Sequence, residues 1–78
     1  MLLLSQETQQ HGAYTYTLVT EGEGHTHYFT ITATDGTRTV TLPHFATIDA
    51  IATDFFHRIA SHGVDPLHLH DVWEDYTT

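Results

Sequence analysis

The sequence predicts an α+β domain, a three- to four-stranded antiparallel meander followed by two helices packed on one face. Two observations carry this. Apolar residues recur at every second position before Pro43 and at three- and four-residue spacing after it, the periods of a half-buried strand and an amphipathic helix. Most of the threonines, β-branched and strand-favouring, fall within residues 15–41.

Residues 14–20 alternate, with Tyr14, Tyr16 and Leu18 on one face and Thr15, Thr17 and Val19 on the other. Glu21-Gly22-Glu23-Gly24 reads as a turn, and the alternation resumes over 25–34, where Phe29, Ile31 and Ala33 oppose Tyr28, Thr30 and Thr32. Asp35-Gly36 is a two-residue hairpin signal, because both residues tolerate the positive φ of primed turns. A third strand follows over 37–42, with Val40 and Leu42 inward, and residues 2–8 add a fourth before a turn at Gln10-His11-Gly12. Pro43 is expected to stop the sheet.

A helix is predicted over 48–62. Thr47 is its expected N-cap, Asp49 lies in the first turn, and Ile48, Ile51, Ala52, Phe55 and Ile59 form one apolar stripe. Gly63 supplies the C-cap. Asp65-Pro66 is a second start signal, and Leu69, Val72, Trp73 and Tyr76 give the stripe of a helix over 66–76. The rival reading there is an edge strand over 64–69, against which Pro66 argues.

At 78 residues the chain makes a single domain over 1–78 with a small core, burying about 60–65% of the surface its unfolded form exposes. It has no cysteine, so neither disulfides nor thiolate zinc can brace it. Lys and Arg total 2 against 10 acidic residues, a net charge of −8 with neutral histidines. Nucleic acid and anionic membrane are therefore excluded as expected partners, while cations and basic protein surfaces stay open. Eight histidines balance the charge in number, so self-association near the sequence pI of about 5.2 is expected. The apolar run at Met1–Leu4 is too short for a secretory leader, and no stretch approaches the length of a membrane span, which predicts a cytoplasmic protein.

Val64-Asp65-Pro66-Leu67-His68-Leu69-His70-Asp71-Val72-Trp73-Glu74-Asp75-Tyr76 resembles the ending of a small bacterial family of this length and unassigned function, whose members close on Val-x-Pro-x-His-Leu-x-Asp-Val-x-Glu-Asp-aromatic. The likeness extends upstream through Tyr14-x-Tyr16-x-Leu18 and the 28–31 strand. It implies no catalytic residue, and of the eight histidines only His68 falls on the pattern.

Three constellations were candidates for chemistry. His25 and His27, two apart on a strand, project from one face and would offer two imidazoles to zinc or nickel, with Glu21 or Glu23 as a third ligand. The plainer account is two exposed histidines. His68, His70, Asp71, Glu74 and Asp75 pair carboxylates with imidazoles at helical spacing, as general acid–base work requires, yet they also read as the wet face of the second helix. Asp54 with His57 or Arg58 reads as helix-surface electrostatics. Phe56, off the main stripe, is either shielded by the second helix or an exposed contact point.

With no nucleophile, glycine loop or oxyanion donors near these groups, the favoured function is a non-catalytic protein–protein interaction or regulatory module. Its contact residues are taken as Tyr28, Phe56, Trp73 and Tyr76, and its partner as another protein or a second copy, through the open sheet face or a strand edge. The alternative is a His/carboxylate metal protein built on His25 and His27. An enzyme whose site is completed across a dimer is the third and weakest reading.

Overall fold

A computed structural model describes residues 2–78. Four strands, β1 (Leu2–His11), β2 (Tyr14–Glu23), β3 (Thr26–Thr34) and β4 (Thr39–Ala46), pair antiparallel in the order β1-β2-β3-β4. Helix α1 (Asp49–His62), a 3-10 turn over Pro66–His68 and helix α2 (Leu69–Thr77) pack on one face. The α+β meander with two C-terminal helices is thus observed.

The alternation read from the sequence decides which face is buried. Tyr16 and Leu18 of β2, Phe29, Ile31 and Ala33 of β3, and Leu42 of β4 all lie under the helices. The opposite face is open and dominated by threonine. The strand register lines up Thr8, Thr17, Thr32 and Thr41 in one row across the sheet, and Gln10, Thr15, Thr34 and Thr39 in the next. Side chains touch along these rows, with Thr8 and Thr17 hydroxyls 3.5 Å apart and the Thr39 hydroxyl donating to Thr34 at 3.3 Å.

The turns depart from the sequence expectation, each for a local reason. Two-residue turns at Gly12-Ala13 and Gly24-His25 close the first two hairpins, with Gly12 at φ 61° and Gly24 at φ 62°. Glycine tolerates this left-handed backbone, so β1 runs on to His11 and β2 to Glu23. His25 accordingly sits in the turn, not on the strand. Asp35-Gly36 is not a two-residue hairpin turn. The connection spans 35–38, closed by the Asp35 N–H donating to the Arg38 carbonyl (3.2 Å), while the Asp35 carboxylate accepts from the N–H groups of Thr37 (2.8 Å) and Arg38 (2.7 Å).

Pro43 does not stop the sheet. Phe29 pairs with Ala46 and Ile31 with Leu42, so Pro43, His44 and Phe45 bulge outward opposite Thr30. An edge strand accommodates a residue lacking an N–H in this way. His44 takes φ 42°, and its N–H donates to the Thr30 hydroxyl at 3.0 Å.

In α1 the residue preceding the helix is Ile48, with no side-chain cap, so Thr47 does not serve as N-cap. The buried stripe is Ala52, Phe55, Phe56, Ile59 and Ala60, rotated from the expected one, and Ile48 and Ile51 face solvent. Gly63 ends the helix at φ 62°, its N–H returning to the Ile59 carbonyl. The Asp65 carboxylate then accepts from the Leu67 N–H (3.0 Å), starting the 3-10 turn that leads into α2. Residues 64–69 are not a strand.

Candidate functional site

The spacing of Trp73 and Tyr76 on α2 turns both rings toward Phe55 of α1, and Trp73 also toward Phe45 of β4. The Trp73 ring lies 4.9 Å from both Phe45 and Phe55, edge to face, and 5.7 Å from Tyr76. Phe55 also meets Tyr76 at 5.2 Å. Offset and edge-on pairs of this kind add attraction beyond the area they bury. A four-ring seam therefore runs from the β4 bulge to the last turn of α2, and only Phe55 in it is fully buried.

Two shallow apolar grooves flank the seam. One, of about 340 Å³, has Ile59, Val64, Val72 and Tyr76 among its walls, with Arg58, His62 and Asp75 as its polar members. The other, of about 260 Å³, lies between Phe45, Ile48, Ile51 and Trp73. Ile48 and Ile51 are both exposed there.

Polar groups hold the seam in place. The Tyr76 phenol donates to the Asp54 carboxylate at 2.8 Å, and Arg58 Nε donates to the same oxygen at 2.7 Å. The Tyr76 hydrogen bond first, then Arg58, holds the Asp54 carboxyl below its ordinary range, and Asp54 in return raises the Tyr76 phenol. Asp54 thus chooses Arg58 and Tyr76. His57 turns the other way, to Glu7 on β1 at 3.0 Å.

The four contact residues named from sequence do not form one surface. Trp73 and Tyr76 come together in the seam. Phe56 is 0% exposed and belongs to the core, so it is no contact point. Tyr28 lies on the open face of the sheet, its ring 5.2 Å from His44. Sequence reasoning missed Phe45, Ile48 and Ile51 as surface groove residues. Phe45 two residues after Pro43 was the available signal, a bulky aromatic where the ladder is interrupted.

The histidines are dispersed. His25 in the turn and His27 on β3 line a polar cleft with Thr47 and Asp49, not with the proposed carboxylates of the 21–23 segment, since Glu21 lies 3.6 Å from His44. Among the described residues no three His, Asp or Glu side chains are grouped to hold a metal ion. His68, His70, Asp71, Glu74 and Asp75 are all exposed, and no hydrogen bond or ion pair joins them among the described residues. No described helix is long and apolar enough to cross a membrane. No family model, curated protein or solved structure matches the chain.

Proposed function

We propose that this chain is a non-catalytic protein-contact module whose aromatic seam receives a short apolar segment bearing basic residues on its flanks. The observation that carries the reading is the pair of apolar grooves on either side of Trp73 and Tyr76. Aromatic side chains around shallow apolar grooves are the composition of contact hot spots, and neither groove encloses a substrate. Charge selects the partner. Asp71, Glu74 and Asp75 stand exposed on α2, which carries no Lys or Arg, and Arg58 is occupied by Asp54. An acidic segment would meet like charge on approach, and a basic one would be steered in.

Trp73 is the sole tryptophan and touches the groove directly, so its fluorescence reports occupancy. The test titrates the protein with a designed amphipathic peptide carrying Leu and Phe on one face and Lys on the other, beside a counterpart with Glu in place of Lys. Saturable change with the basic peptide alone, lost in Ile51→Glu, supports the proposal. Equal response to both peptides, or retention of binding in Ile51→Glu, overturns it.

A further inference from the structure

The two grooves beside the seam differ in charge. The groove between Phe45, Ile48, Ile51 and Trp73 has no titratable side chain in its wall. The other sets Arg58, His62 and Asp75 into apolar walls that include Ile59 and Val72. Helical spacing builds it, because Ile59 and His62 share one side of α1, and Val72 and Asp75 share one side of α2.

The polar members are not equivalent. Arg58 Nε donates to the Asp54 carboxylate at 2.7 Å, so its charge is already offset. Asp75 is exposed, and among the described residues it has no hydrogen bond or ion pair. With histidine counted neutral, the groove is therefore left with one uncompensated carboxylate.

An apolar wall with an anion at one point matches a side chain made of the same two parts. Lys and Arg lay their methylene stems along apolar surface and keep the charged head at its rim. A purely apolar side chain would strip water from Asp75 and give it no partner. An acidic one would meet like charge, and would have to share Arg58 with Asp54. Resting on the reading of the seam as a protein-contact site, we propose that this groove seats one Lys or Arg of the docked segment. The stem lies along Ile59 and Val72 and the head group meets Asp75, while an apolar residue of the segment fills the uncharged groove. Asp75 is then a specificity-determining residue. Because the two grooves lie on either side of Trp73 and Tyr76, the difference between them also fixes the direction in which the segment crosses the seam.

The experiment follows Trp73 fluorescence with the basic Leu/Phe/Lys peptide, at low salt and at mildly alkaline pH, above the ordinary histidine range. Each Lys of the peptide is replaced in turn by norleucine. Every peptide is titrated into the wild-type chain, Asp75→Asn and Glu74→Gln, the last removing an equal charge from α2 outside both grooves. Circular dichroism checks that both variants keep the fold. The expected result is an affinity loss of about threefold in Asp75→Asn, the size of an exposed ion pair, that vanishes when one particular Lys is norleucine. Glu74→Gln should weaken all the peptides alike. If Asp75 couples to no Lys position, or Glu74 couples equally, the pairing is overturned and the contact reading survives. A wild-type chain that ignores the basic peptide overturns both.

Discussion

The phenol of Tyr16, buried near the start of β2, donates to the main-chain carbonyl of Val64 at 2.6 Å and so ties the sheet to the link between the two helices. Tyr14, one step along the same face, donates to Asp65 at 3.3 Å. Replacing Tyr16 by Phe keeps the ring and strands the carbonyl, a loss of about 1–3 kcal/mol. At roughly 4–8 °C per kcal/mol for a domain of this size, the melting temperature should fall visibly. Burial, then the neighbouring Tyr14 and Asp65, pushes the Tyr16 phenol up to about 12. A group whose pKa is raised on folding contributes stability below its unfolded value near 10 and loses it as pH climbs toward 12. Urea midpoints should drop across that window in the wild type and drop less in Tyr16→Phe.

Gly63 takes φ 62°, and a Cβ there would stand 2.5 Å from the His11 ring. Gly63→Ala should therefore lose about 1–2 kcal/mol from the left-handed backbone, with a steric contribution on top. His11→Ala in the same chain should restore the steric part and leave the backbone part. A double-mutant cycle by chemical denaturation separates the two, and strict additivity would show that the contact is absent.

The rotated stripe of α1 is checked by comparing two truncations. Phe56→Ala should cost about 3–5 kcal/mol, enough to unfold much of so small a domain. Ile51→Ala on the exposed side should cost a fraction of that. Thermal melts showing the reverse order would return Ile51 to the core.

Asp54 offers a titration readout. Its carboxyl is held low chiefly by the Tyr76 phenol, then by Arg58. The carboxyl carbon followed by NMR should titrate below the ordinary Asp range, and Tyr76→Phe should move the midpoint upward. An unmoved midpoint would detach the phenol from Asp54.

Glu7 is held below its ordinary 4.5 by its hydrogen bond to His57, then by Gln9. A depressed carboxyl contributes stability above its ordinary value and loses it as pH falls through the native one. Both side chains are about half exposed, so the effect is small. Glu7→Gln should flatten the stability profile below pH 4.5, and an unchanged acid limb would argue against the pair.

Much of the architecture was legible because periodicity reports which side of an element is dry. Tyr16, Leu18, Phe29 and Ile31 lie where their alternation puts them, and Gly63 and Asp65-Pro66 mark the helix boundaries as read. What was not legible depends on residues distant in the chain. The Pro43 bulge has a partner on β3, the Thr30 hydroxyl that accepts from His44, and the burial of Phe56 depends on how α1 lies across the sheet. The same holds for the seam. Trp73 and Tyr76 could be read as one helical stripe, but Phe45 joins them only after β4 has carried it past the proline. His25 shows the reverse lesson, since a shift of the turn to Gly24-His25 removed it from the strand face that a shared ligand with His27 required.

The kinked far strand has a consequence for growth. A sheet whose two sides could both accept a neighbour would add copies without end and build a fibre. Here Pro43 withholds a donor and His44 swings the main chain aside, so that side offers no seat. The register shift between Leu3 and Ser5 interrupts the other border as well, so neither edge offers a long straight ladder to an added strand.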